Sequence, residues 1–213
     1  MLTAKNRLAI KQNLESRIQQ LKDSCSVAHG SPITSLEIAS RDADELEVLA
    51  ASLENLSSFP DPLTYASQLL DGAWLLEYST AREIKSLRNL PLGFLVGKIY
   101  QVIDVETASF ENKAWVEHKS RLLSGYVRVT ATFKPATEDE KLSKRKINVN
   151  FQQRFIGITK ILGIKTKLLD PVKVVEAKNP QGRIPSLEIS YVDDTMRIGR
   201  GGDGSLFILT RAS

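Results

Sequence analysis

Apolar positions recur every three to four residues at the start of the chain and every two from Leu69 onward. The first regime predicts helices. Leu14, Ile18 and Leu21 stand at i, i+4 and i+7, and Ile10 extends the stripe back one turn. Lys11, Gln12, Asn13, Glu15, Arg17 and Gln19 give that helix a polar outer face. Gly30 and Pro32 break the pattern between Cys25 and Ser35, and Thr34-Ser35-Leu36-Glu37 has the spacing of a capping box. A second helix is expected with Leu46, Leu49, Leu53 and Leu56 on one side. Its acidic entry (Asp42, Asp44, Glu45, Glu47) suits the positive end of a helix dipole. Phe59-Pro60-Asp61-Pro62 ends it, because proline cannot continue a helix. Residues 2–58 read as a helical hairpin or small bundle, and the organisation expected is a helical segment over 1–60 followed by a β domain over 61–213.

In the second regime Trp74, Leu76 and Tyr78 alternate with Ala73, Leu75 and Glu77. Further strands are expected at 99–105, 110–116, 122–133, 147–152, 172–175, 187–192 and 206–210, joined by turns rich in Gly, Pro, Asn and Asp. Short strands at fairly even spacing indicate an antiparallel sandwich or barrel. The sheet opens with Gly72-Ala73-Trp74 and ends in the arginine-bearing hairpin Tyr191 to Leu209, which suggests a barrel sealed where first and last strands meet. Small closed barrels often hold one apolar ligand. Two connections are unusually apolar: 79–98, with Leu90-Pro91-Leu92-Gly93-Phe94-Leu95-Val96-Gly97, and 155–170. In the latter Phe155, Ile156, Ile158, Ile161, Leu162, Ile164, Leu168 and Leu169 interleave with Lys160, Lys165 and Lys167. Either they close the barrel ends or they touch a membrane surface, with Leu92, Phe94, Leu95, Ile161 and Leu162 as candidate contacts. Residues 138–146 read as a solvated hairpin tip.

Composition narrows the classes. Of 213 residues, 42% are hydrophobic and 25% charged, as in ordinary globular proteins, and the net charge of +4 allows an anionic partner without requiring one. The lone cysteine, Cys25, rules out an intrachain disulfide, and with only His29 and His118 beside it no ordinary structural zinc set exists. No stretch approaches the roughly 20 apolar residues of a membrane-spanning helix. The N-terminus has neither the apolar core of a secretory signal nor the look of a transit peptide, so the chain is expected to be made where it works or to be a mature form. No Gly-x-Ser-x-Gly elbow or His-Glu-x-x-His motif occurs. Asp193 and Asp194 are adjacent on an extended segment and point different ways, which argues against paired acid–base work. Gly201-Gly202-Asp203-Gly204 lacks the Gly-Lys-Ser/Thr ending of a phosphate loop and reads as a tight turn. With 7% aromatics, the basic residues Arg128, Lys144, Arg145 and Lys146 form no nucleic-acid signature. No catalytic residue, metal ligand or cofactor is expected.

A ligand-holding barrel remains. Trp74 on the first strand and Arg197, Arg200 or Arg211 near the last suggest closure by a guanidinium on an indole, worth about 1–2 kcal/mol when shielded from water. Leu76, Ile103, Trp115, Val129, Phe151 and Ile189 are expected inside, either filling the barrel or lining a cavity. The candidate ligand contacts are Trp74, Tyr78, Trp115, Tyr126, Phe151, Asp193, Asp194, Arg197 and Arg200.

Leu70-Asp71-Gly72-Ala73-Trp74-Leu75-Leu76-Glu77-Tyr78-Ser79-Thr80, Tyr100-Gln101-Val102-Ile103-Asp104 and the Tyr191 to Leu209 stretch resemble the plastid lipid-associated proteins, the fibrillins or plastoglobulins. The resemblance spans about residues 65–211, and its sharpest part is Arg200, Gly201, Gly204 and Phe207. It implies a mainly β fold, an antiparallel lipocalin-like β-barrel preceded by an N-terminal helical segment (α+β overall). It also implies non-enzymatic binding or protection of a lipophilic molecule (carotenoid, quinone, fatty acid or other lipid) at photosynthetic membranes or lipid globules, with links to light and oxidative stress. Asp193 or Asp194 would hold the place of the family's ligand-binding aspartate. The absent transit peptide resembles a cyanobacterial-type member, thylakoid-associated or cytoplasmic; a mature plant form would sit at plastid thylakoids or plastoglobules. The alternative is a structural coat protein with a solid barrel and membrane-contacting loops.

Overall fold

The computed structural model describes residues 2–25, 27, 30–138, 142–177, 179 and 182–212. His29, and 139–141 of the expected hairpin tip, lie outside them. Helix α1 (Leu2–Ser24) and helix α2 (Ser40–Asn55) form the expected hairpin. Arg17 donates to Asp42 at 2.6 Å and Glu45 at 2.8 Å, lashing the two together. The capping box takes a different form. Glu37 accepts from the Thr34 backbone N–H as that motif requires, but Thr34 lies in strand β1 (Ile33–Thr34) and the bond closes a turn. Helix α2 starts later, at Ser40, without a side-chain cap. Two short helices, α3 (Pro62–Tyr65) and α4 (Ser67–Leu70), lead into the sheet.

Nine longer strands follow: β2 (Gly72–Ser79), β3 (Phe94–Asp104), β4 (Ser109–His118), β5 (Leu123–Pro135), β6 (Lys146–Ile161), β7 (Ile164–Glu176), β8 (Ser186–Val192), β9 (Met196–Gly201) and β10 (Leu206–Arg211). A fifth helix, α5 (Arg82–Ser86), lies between β2 and β3. The pairing order β2–β10–β9–β8–β6–β5–β4–β3 returns to β2, so eight antiparallel strands make a closed ring. The expected meeting of first and last strands is present, with Arg211 opposite Trp74. β1 runs parallel to the end of β2, and β7 hangs from β6 outside the ring.

Closure is confined to one half of the cylinder. β2 meets β3 over Gly72 to Leu75, and β6 meets β8 over Lys146 to Asn148. Beyond those pairs β3, β4, β5, β6 and β7 continue as a half-shell. The expectation of a connecting segment over 155–170 is corrected here: it is the distal part of β6 and the start of β7, joined by the two-residue turn Leu162-Gly163. Both turn residues have positive φ (51° and 81°), the backbone a tight right-twisted hairpin requires.

Two apolar cores share the wall made by β2, β8, β9 and β10. Inside the ring lie Trp74, Leu76, Ile103, Phe110, Ala131, Val149, Ile189 and Leu209, with Ile84 and Leu87 of the β2–β3 connection against them. Outside, Leu14, Ile18, Leu46 and Leu53 pack on Tyr78, Tyr191, Met196, Ile198 and Ile208. Strand alternation supplies both faces. At Gly125 the β5–β6 spacing is so close that an added Cβ would collide with the Gly157 carbonyl, while Tyr126 lies over Gly157. Gly125→Ala should therefore cost about 1–3 kcal/mol, read as a lower denaturant midpoint at unchanged slope.

Candidate functional site

The seam of the ring holds the densest chemistry. Trp74 is fully buried and its Nε1–H donates to the Leu70 carbonyl at 2.9 Å. The Arg211 guanidinium lies 4.1 Å from the indole centroid and donates to the carbonyls of Leu69, Asp71 and Asp194, binding the chain's entry into the sheet to its exit. Arg197, with 3% of its surface exposed, points into the ring from β9, 5.2 Å from the same indole. It donates to Gln101 Oε1, and Gln101 Nε2 donates to Asn112 Oδ1 at 2.9 Å. Its Nε–H has no hydrogen-bond partner among the described residues. Burial, and then the nearby Arg211 charge, pull its pKa down to about 9, which leaves it cationic at neutral pH.

Of the other candidate contacts, only Phe151 borders the inner core. Tyr78 was expected to follow Trp74 and Leu76 inward. A bulge at Glu77 shifts the register, with Leu209 opposite Leu76 but Ile208 opposite Tyr78, and turns Tyr78 to the helix side. There burial, then Glu47 and Asp44, push its hydroxyl up to about 12. Trp115, also expected inside, is one residue past inward-facing Ala114 and so stands on the outer face, edge-on to Tyr126 at 5.8 Å. Lys113 lies 4.3 Å and 4.4 Å from those two rings, and the Tyr126 hydroxyl donates to Asp170. Arg200 faces α2, where it donates to Glu54 at 2.8 and 2.9 Å and pairs with Glu47 at 2.7 Å. Asp193 accepts from Lys11 at 2.7 Å, the Tyr191 hydroxyl at 2.6 Å, and the backbone N–H groups of Thr195 and Met196. It is a strap between α1 and the β8–β9 turn. Asp194 is exposed.

Register defines an inner trough. One row crosses six strands: Trp74, Gln101, Asn112, Val129, Arg154, Val175. The next holds Ile99, Ala114, Val127, Ile156 and Lys173, and the one after it Val96, Val116, Gly125, Ile158 and Leu169. In the first row exposure rises from buried Trp74, through half-buried Gln101, Asn112 and Val129, to exposed Arg154. The trough ends at a rim of three turns stitched by backbone bonds, Lys119 N–H to the Gly93 carbonyl and Gly163 N–H to that of Leu122. The rim presents Leu92 (83% exposed) and Leu162 (74%), with Leu95, Leu122, Ile161 and Ile164 also exposed. Phe94 is half-buried and edge-on to His118 at 5.5 Å.

Residues 12–210 match the family model PAP fibrillin. The chain belongs to the PAP/fibrillin family. It is 32% identical over 181 residues to plastid-lipid-associated protein 6, chloroplastic, of Arabidopsis thaliana, covering 80% of this chain and 62% of that protein. It is 30% identical over 196 residues to the chromoplast-specific carotenoid-associated protein of Cucumis sativus, covering 78% and 60%. A light-induced chloroplastic protein of Solanum tuberosum is 25% identical over 232 residues, 92% of this chain and 68% of that one. The chain thus spans about three fifths of the first two relatives.

In this PAP/fibrillin chain the residues that sequence reasoning passed over are Gln101 and Asn112, which among the described residues carry Arg197's hydrogen-bonded contact across the ring. Their signal was an amide pair on strands otherwise apolar on that face. Asp193 yields a test of the strap. Burial works to raise its pKa, but Lys11, Tyr191 and the two backbone N–H groups together hold it below the usual carboxylate range. Its stabilisation is therefore present above the ordinary carboxyl value and lost as pH falls through the lowered one. Asp193→Asn should cost about 1–3 kcal/mol at pH 7, and urea titrations should show the gap to the unaltered protein closing below about pH 4.

Proposed function

We propose that this protein is a non-enzymatic carrier or shelter for lipophilic molecules that works docked on a lipid surface. Carotenoids, quinones and fatty acids are the ligand classes, and thylakoid or globule surfaces the location. The names of the relatives, lipid- and carotenoid-associated, support the class. No helix among the described residues is long and apolar enough to cross a membrane, and the reading is of a peripheral protein.

One observation carries it. Leu92 and Leu162 are leucines in the left-handed region (φ 61° and 51°), and both are among the most exposed apolar side chains of the molecule. A leucine there costs about 1–2 kcal/mol where asparagine or glycine would relieve it, and it exposes an apolar group besides. Such a combination is retained for a use outside folding. Lys119, Arg121, Lys165 and Lys167 stand around it, a charge pattern suited to anionic headgroups. The trough opens at this rim, so a lipophile would pass from lipid to protein without crossing water.

The packed core of the closed half favours a second reading, a coat that holds no ligand. Replacing Leu92 and Leu162 together by Asn separates them. For the carrier, the variant should be more stable to urea by up to about 4 kcal/mol in all, float at least tenfold less with anionic liposomes, and still bind a soluble carotenoid or quinone analogue. Loss of flotation with no ligand bound by either form would leave the coat. Undiminished flotation would remove the rim from both.

A further inference from the structure

The cation inside the ring lacks an anion. Among the described residues no carboxylate pairs with Arg197, and the other charge that acts on it is the repelling Arg211. One neutral amide oxygen and the face of Trp74 are its compensation, and its Nε–H is unbonded. A buried guanidinium left this way is costly, because desolvation of an ion is offset only by well-placed partners. Arg211 differs: its N–H groups are taken up by three backbone carbonyls, so closing the seam already has its own arginine. Arg197 is surplus to closure.

We infer that Arg197 is the anchor for the anionic head of an amphiphile whose tail lies along the trough, the head being a carboxylate. This deepens the carrier reading and rests on it. The geometry supports each part. A guanidinium forks a planar carboxylate with two N–H groups on its Nε edge; here the Nε–H is unbonded among the described residues, and its neighbour Nη2 holds only the neutral Gln101 Oε1. The charge to be neutralised is single, since Arg211 is engaged elsewhere, so a monoanion balances it and a phosphate dianion would bring an unpaired charge into a dry site. The way in is the polar row: Arg154 is exposed at its open side, and half-buried Val129, Asn112 and Gln101 lead to Arg197. From that row the apolar rows Ile99 to Ile156 and Val96 to Leu169 continue to the rim, a run of about six residues or ~20 Å along the strands, the length of an extended acyl tail. The tail end thus comes to the exposed leucines and the head to the buried cation.

Comparing oleate with oleyl alcohol tests this, because the two differ only in the head. Trp74 reports binding: with Trp115→Phe, on the outer face, it is the sole tryptophan, and tail-brominated analogues of both probes quench it. The acid should bind at least tenfold more tightly than the alcohol, and Arg197→Met should abolish that preference while leaving alcohol binding within a factor of two to three. Equal binding of the two probes by the unaltered protein, or a preference that survives Arg197→Met, overturns the anchor and leaves the carrier intact. If neither probe binds, nor any carotenoid or quinone, carrier and anchor both fall. Should Arg197→Met not fold, carboxyl-labelled oleate on the unaltered protein decides by NMR. A head on Arg197 stays ionised to below about pH 4, whereas one lodged among apolar groups protonates above about pH 6 and overturns the assignment.

Discussion

A closed ring of strands stands or falls on its last junction, and here that junction is organised around one indole. Trp74 lies on the strand that pairs with both β3 and β10, with two guanidinium groups within 5.2 Å of its ring. Arg211 ties the helical lead-in at Leu69 and Asp71 to the β8–β9 turn at Asp194, so one side chain fixes entry, exit and closure together. Everything inside the ring takes its place from that seam. Gln101 faces Trp74 in register, Asn112 faces Gln101, and Arg197 reaches both the indole and the amide.

The half-shell has the opposite character. Once β3 leaves β2 and β6 leaves β8, most inner-face side chains of β4, β5 and β6 (Val116, Val127, Val129, Ile156 and Ile158) are half-buried, although Ala114 stays buried with the inner core. Closed half and open half are thus built from the same strands. The difference is pairing alone: four residue pairs on one side and three on the other.

Much of this was legible beforehand. The change of period near Leu69 marks where the long helices give way to the longer strands, although β1 precedes it and α5 follows it. Trp74 with an arginine near the last strand was identifiable from chemistry and position, but the choice among Arg197, Arg200 and Arg211 was not, and Arg211 is the one at the seam. The failures have physical causes. The start of β3 at Phe94 and the β6–β7 hairpin lie in runs apolar at nearly every position, where period carries no information, and a Leu-Gly turn lacks the Asn or Asp that usually marks one. Bulges are silent in sequence: the one at Glu77 sends Tyr78 out instead of in. Trp115 was misplaced by a single residue of register, which inverts a strand's faces. Asp193 and Arg200 proved to have partners on α1 and α2, contacts between segments more than a hundred residues apart that no local pattern encodes. Gln101 and Asn112 sit at the parity of Ile99, Ile103, Phe110 and Ala114, so their inward face was legible, but the cation they serve, 96 residues from Gln101, was not.

The wall between the two cores is one strand thick. Leu209 belongs to the ring interior and Ile208, its neighbour, to the bed beneath the helices; Arg197 and Ile198 divide in the same way, as do Val192 and Tyr191. A strand is too stiff to move one side chain without its successor. Any shift of β9 or β10 on the inner side is therefore transmitted through a single backbone layer to Leu14, Leu46 and Leu53, and the helical hairpin is mechanically in series with whatever the cylinder encloses.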